Sequence, residues 1–169
     1  MKKFTVGKFE ILKLNSIDIF ILSFFLAIDL GRFYLNYYSY VEMYKFFYDL
    51  GFAGLLLVFF AGSFLIRFRN LIFSLIWLFL SVIYIIEGDR ALEFIPLLFL
   101  LLYHSARYAF VRRYNREFIP PELGKGWSIN SIDVLDGKVG GKEDTLYLRI
   151  IAWVGLLIVL TCLVISGKR

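Results

Sequence analysis

Long apolar blocks alternate with short charged ones along the chain. Apolar residues dominate 17–38, 46–66, 71–86, 91–111 and 146–165. About 20 such residues let an α-helix cross roughly 30 Å of hydrocarbon. The pattern therefore predicts an all-α, polytopic membrane protein, a bundle of about five transmembrane helices. Four spans is the alternative, with the charged first block lying on the membrane surface. The links "RFRN" (67–70) and "EGDR" (87–90) are tight, so successive spans should run antiparallel.

The remaining stretches read differently. Residues 1–16 alternate roughly apolar with polar and carry four lysines, which fits a short strand or an interfacial segment. A signal peptide is not expected, because Asp18 interrupts the apolar region and no small-x-small cleavage site follows. Residues 112–145 contain Pro120, Pro121 and several glycines. They read as a cytoplasmic loop with a short strand at Ile129–Leu135. The chain thus divides into an N-terminal segment (1–16), four spans (17–111), the loop (112–145) and a fifth span with a short tail (146–169). "LNSIDIF" (14–20) echoes "INSIDVL" (129–135). The match is too short for a repeat, and chance explains it better than a pair of strands.

Composition agrees with the block pattern. The 169 residues are 60% hydrophobic and 20% aromatic, against about 45–50% apolar in soluble domains. The net charge of +5 does not point to nucleic acid, because the cations fall at the ends of apolar blocks rather than on a stacking face. They orient the chain instead. The N-terminal lysines, Arg67 and Arg69, and the cations of 112–145 all fall on one side if the spans alternate. That side should be the cytoplasm, which places the protein in the cell's inner membrane with a cytoplasmic N-terminus. Lys168 and Arg169 of the tail run against this rule. Tyrosines 34, 37, 38, 40, 44 and 48 crowd the opposite end of the first span, as an interfacial aromatic belt would.

Candidate chemistry is sparse. One cysteine, Cys162, and one histidine, His104, cannot supply the usual zinc ligand sets or a bis-histidine haem site. No phosphate-loop, dinucleotide-binding, zinc-protease or nucleophile-elbow motif is present. No cofactor and no catalytic activity are expected. Ala53, Gly54, Ala61, Gly62 and Ser63 are small enough to let helices approach closely. Pro96 could kink the fourth span and free a carbonyl.

The strongest signal is charge inside the apolar blocks. At about 100° per residue, Asp18, Asp29, Arg32 and Asn36 share one face of the first span. Glu93, His104 and Arg107 do the same on the fourth, at the same relative spacings. Lipid cannot satisfy such a stripe, so it must face protein or water. Antiparallel packing of the two spans would join Asp18 to Arg107 and Arg32 to Glu93 in a single register, with Asp29 and His104 between them. A structural clamp is the preferred reading of these charges, and a proton or ion path through Asp29 and His104 the alternative. The functional expectation is a non-catalytic subunit or scaffold of a larger membrane assembly, partnered by lipid and by other subunits or further copies of itself. The alternative is a small oligomeric transporter or channel.

Overall fold

The structure is a computed structural model that describes residues 4–6, 9–11, 13–38, 42–60, 63–86, 88, 90–119 and 141–167. Five α-helices are described: α1 (Ser16–Tyr38), α2 (Glu42–Phe60), α3 (Leu71–Ile86), α4 (Ile95–Tyr114) and α5 (Lys142–Ser166). A hairpin of β1 (Phe4–Val6) and β2 (Phe9–Ile11) precedes them, with Phe4 opposite Ile11 and Val6 opposite Phe9. The proposed strand at 129–135 lies outside the described residues.

The helix limits follow from local chemistry. At the start of α1, the Asp18 amide donates to Asn15 Oδ1 (2.8 Å) and the Asn15 amide donates to Asp18 Oδ2 (3.0 Å). This reciprocal cap satisfies amides that have no partner within the helix. The "LNSIDIF" stretch is therefore a helix start and not a strand. α2 stops at Phe60, earlier than expected, and the chain turns through a 3-10 segment, Ser63–Arg69. Leu65 and Phe68 anchor that segment, both fully buried. Asn70 then caps α3 by accepting from the Ile72 amide at 3.1 Å. The fourth block is also divided, into a 3-10 turn (Ala91–Phe94) and α4. Pro96 makes no kink within a continuous span. It occupies the first turn of α4, where the missing N–H costs nothing. Asn115, left-handed at φ 50°, ends α4.

The helices close into a ring. α1 packs between α2 and α3, α3 packs on α4, α4 on α5, and α5 returns to α2. Trp77 fills the centre, with ring centroids 4.6 Å from Phe25, 5.1 Å from Phe68 and 5.7 Å from Phe59. Its indole N–H donates to the Pro96 carbonyl at 3.2 Å, tying α3 to the first turn of α4. Of the small residues expected to let helices approach closely, Ala61 and Gly62 lie outside the described residues. Ala53 is buried, whereas Gly54 faces outward with nothing within 4 Å of a Cβ placed there. The close helix approach occurs at Gly155 of α5, where an added Cβ would lie 2.6 Å from the Phe99 ring of α4.

Among the described residues, two helical stretches are long and apolar enough to cross a membrane, Ala91–Tyr114 and Lys142–Ser166. α3 is also apolar but has 16 residues, about 24 Å of helix. The buried contact at Gly155 yields the first prediction. Gly155→Val should overpack the α4–α5 seam and destabilise the protein by about 1–3 kcal/mol, read as a lower melting temperature in detergent. An unchanged melt would show that α4 and α5 do not pack as described.

Candidate functional site

The buried charges fall into two groups, one at each end of the ring. The first surrounds Arg32, which is 1% exposed. Its Nη2 donates to Glu93 Oε1 at 2.6 Å and lies 3.2 Å from Asp49 Oδ2. Glu93 is 1% exposed, and its other oxygen accepts from the Arg90 amide at 3.0 Å. Asp49 accepts at Oδ1 from the Tyr84 hydroxyl at 2.8 Å. One guanidinium thereby joins α1 to α2, to α3 through Tyr84, and to the 3-10 turn before α4.

Asp29 is buried one turn before Arg32 on α1 and acts electrostatically on the Tyr48 hydroxyl. That hydroxyl donates to the Ile28 carbonyl at 2.9 Å and sits against Gly31, where a Cβ would strike it. Glycine is needed there because α1 and α2 meet over the phenol. Three buried carboxylates thus share this end with Arg32, and Arg90 acts on Asp49 from the turn. Arg32 Nε and Nη1 have no hydrogen-bond acceptor among the described residues. Among those residues, no group of three or more His, Cys, Asp or Glu could hold a metal ion.

The second group closes the opposite end. Arg67 Nη1 donates to Asp18 Oδ1 at 2.7 Å and to Asn15 Oδ1 at 2.8 Å. Arg107 makes a two-pronged contact with Glu117, Nε to Oε2 at 3.0 Å and Nη2 to Oε1 at 3.2 Å. Asp144, fully buried, accepts from Arg116 Nη2 at 2.6 Å, from the Ile119 amide at 2.8 Å and from the Gly141 amide at 2.8 Å. The Asp144 hydrogen bond raises the Arg116 pKa above its ordinary value. Phe118, folded back beneath these contacts, packs on Phe110 and Tyr147 and is fully buried. Both ends of the expected 112–145 loop are therefore ordered structure.

Of the pairs expected from the sequence, Arg32–Glu93 is present and Asp18–Arg107 is not. The partners of Asp18 and Arg107 are Arg67 and Glu117. The reason is geometric. α1 packs chiefly on α2 and α3 rather than α4, and Glu93 belongs to a 3-10 turn rather than to the helix that carries Arg107. A continuous α-helical wheel from 93 to 107 therefore misplaces the lower residues. His104 is drawn to α3, its Nε2 3.4 Å from Ser74 Oγ, while Asp29 stays with the Arg32 group. Asn36 is half-buried near the end of α1. Sequence reasoning missed Asp49, Tyr84, Arg67, Glu117 and Asp144. Asn15-x-x-Asp18 was a legible capping signal. Asp49 and Tyr84 gave none, since each is one polar group in a block read as an apolar span.

The chain matches no protein-family model, and comparison with curated proteins and with solved structures finds no match.

The Arg32 group gives a graded prediction. Arg32→Leu strands two buried carboxylates and should cost about 3–5 kcal/mol. Adding Glu93→Gln should recover part of that loss, and adding Asp49→Asn should recover more. Equal stability of all three variants in a denaturation series would show the cluster to be solvated. A second prediction separates the old pairing from the observed one. A double-mutant cycle on Asp18→Asn and Arg67→Gln should show coupling above about 0.5 kcal/mol, whereas the cycle on Asp18→Asn and Arg107→Gln should be additive within that margin.

Proposed function

We propose that the protein is an integral membrane scaffold, a non-catalytic five-span subunit that presents lipid and partner surfaces around a locked polar interior. The observation that carries this reading is the closed Arg32–Glu93–Asp49–Tyr84 cluster. A charge at the bilayer centre costs about 2.5–3.5 kcal/mol on insertion scales. Here the charges are gathered onto one another, and their ion pairs and hydrogen bonds link four parts of the fold. A conducting path needs groups that exchange partners, and Arg32 and Glu93 hold each other in a short, buried contact. Asp29 and His104, the pair a relay would use, lie in separate groups.

The outer surface supports the membrane part of the proposal. Large apolar side chains point outward from every helix of the ring: Phe20 is 69% exposed on α1, Val58 73% on α2, Phe79 65% on α3, Leu101 53% on α4 and Trp153 68% on α5. A soluble monomer rarely leaves apolar patches larger than a few hundred Å² in water. Lipid is the solvent that suits such a surface. Tyr34, Tyr37, Tyr38 and Tyr44 are exposed near the α1–α2 connection, at the level where an aromatic belt would meet headgroups. In this reading α1, α2 and the shorter α3 cross as members of the bundle, with their polar faces turned inward. The N-terminus is cytoplasmic.

Reconstituted liposomes provide the test. The scaffold reading expects proton and cation flux no greater than in protein-free vesicles, and a stoichiometric partner or self-oligomer after purification in mild detergent. Flux that disappears in Glu93→Gln, with the protein still folded, would sink the scaffold reading in favour of a transporter. Topology is checked in a Cys162→Ser background, where a probe cysteine at position 125 should react from the cytoplasmic side.

A further inference from the structure

At Asp144 the two oxygens of one carboxylate serve separate parts of the chain. Oδ1 accepts from the Ile119 amide and Oδ2 from the Gly141 amide, both at 2.8 Å. Arg116 Nη2 adds a bond to Oδ2 at 2.6 Å, and its guanidinium lies 4.8 Å from the centre of the Phe110 ring, inside cation–π range (about 6 Å). The Phe118 ring centroid is 5.3 Å from that of Phe110 and 6.5 Å from that of Tyr147. Glu117 takes Arg107. Residues 116–119 are therefore held one by one against α4 and α5, although they follow the left-handed Asn115 that ends α4.

Gly141 immediately precedes α5, and the bond from its amide to Asp144 ties down the first turn of that helix. In water such a bond competes with solvent at both donor and acceptor. Here Asp144 is fully buried, and among the described residues two of its three hydrogen-bond partners come from 116–119. We infer that residues 116–119 form a strap whose seating switches the first turn of α5 between a capped and a frayed state. Seated, the strap completes the bonds of Asp144 and keeps water from the Gly141 contact. Lifted, it takes Arg116 and the Ile119 amide away together, and the carboxylate turns to water. The opening amides of α5 then lose the acceptor that held them. Phe118 sets how firmly the strap sits, because it is the fully buried side chain of the four. The start of α5 thereby depends on the segment that follows α4.

The experiment is hydrogen–deuterium exchange of the purified full-length protein in dodecylmaltoside, read by mass spectrometry on peptides covering 116–119 and 141–146. Asp144→Ala should speed exchange in both by about tenfold or more, as expected for loss of hydrogen bonds to a charged group, and leave α1, α2 and α3 unchanged. Phe118→Ala is the sharper variant. Its ring offers α5 no hydrogen bond, so a simple helix cap would not respond to its loss. A strap that lifts should loosen 141–146 together with 116–119. Arg116→Gln changes an exposed side chain, 39% accessible, and leaves both amide bonds in place. It should speed both peptides by the same factor, about two- to fivefold, and it carries the test if the other two variants do not fold. A folded variant that loosens only one of the two peptides, or neither, overturns the strap. So does exchange that rises equally through the whole of α4 and α5, which would make Asp144 a support of the entire bundle rather than a switch at one helix end.

Discussion

A guanidinium removed from water has to find its counter-charges within a few ångströms, and at Arg32 that requirement organises one end of the molecule. Glu93 and Asp49 approach the same Nη2 atom, so the turn before α4 and the middle of α2 have to meet at α1. Tyr84 then holds Asp49 from α3. A buried ion pair adds little net stability over a well-packed apolar alternative. What it provides is discrimination, because any other arrangement of the helices leaves a carboxylate or a guanidinium stranded. The aromatic centre around Trp77 offers no such selection. Rings can repack in many ways, and the polar end removes most of them.

The opposite end uses a different device. Asp18, Asp144 and Asn70 each accept a backbone amide at the start of a helix, and the first two also accept an arginine. One carboxylate therefore stops a helix from fraying and binds it to a neighbouring segment. Phe118 and Ile119 are drawn back over α4 and α5 in the same way. Helix ends that would otherwise expose unpaired amides become the points where connections are fixed.

These two devices account for what the sequence could and could not reveal. Block lengths located all five helices, and α3 matches its block at both limits because no charged residue interrupts 71–86. Helix periodicity located Arg32 and Glu93 on inward faces, since charge in an apolar block has few places to go. The wheel failed where the backbone left α-helical geometry, at 91–94, and the block limit failed at the 3-10 segment 63–69. Apolar composition continues through both 3-10 segments, and hydropathy does not register the change of pitch. Asp18 was misassigned for a related reason. Its capping role was local and readable, but Arg67 came within reach only because the chain turns early after α2.

The order in which Arg32 meets its partners has a bearing on biogenesis. Asp49 belongs to the next helix in the chain and is made shortly after Arg32, whereas Glu93 follows 61 residues behind it. Synthesis proceeds from the N-terminus, so the hairpin of α1 and α2 can form with Arg32 already opposite Asp49 before Glu93 leaves the ribosome. In that hairpin Arg32 is buried with two carboxylates, Asp29 and Asp49, before Glu93 is made. Glu93 is made three residues after Arg90, whose amide it accepts in the same turn, so this anion follows a second cation. Asp49 and Glu93 are thus each made after a cation that stands beside them in the folded protein.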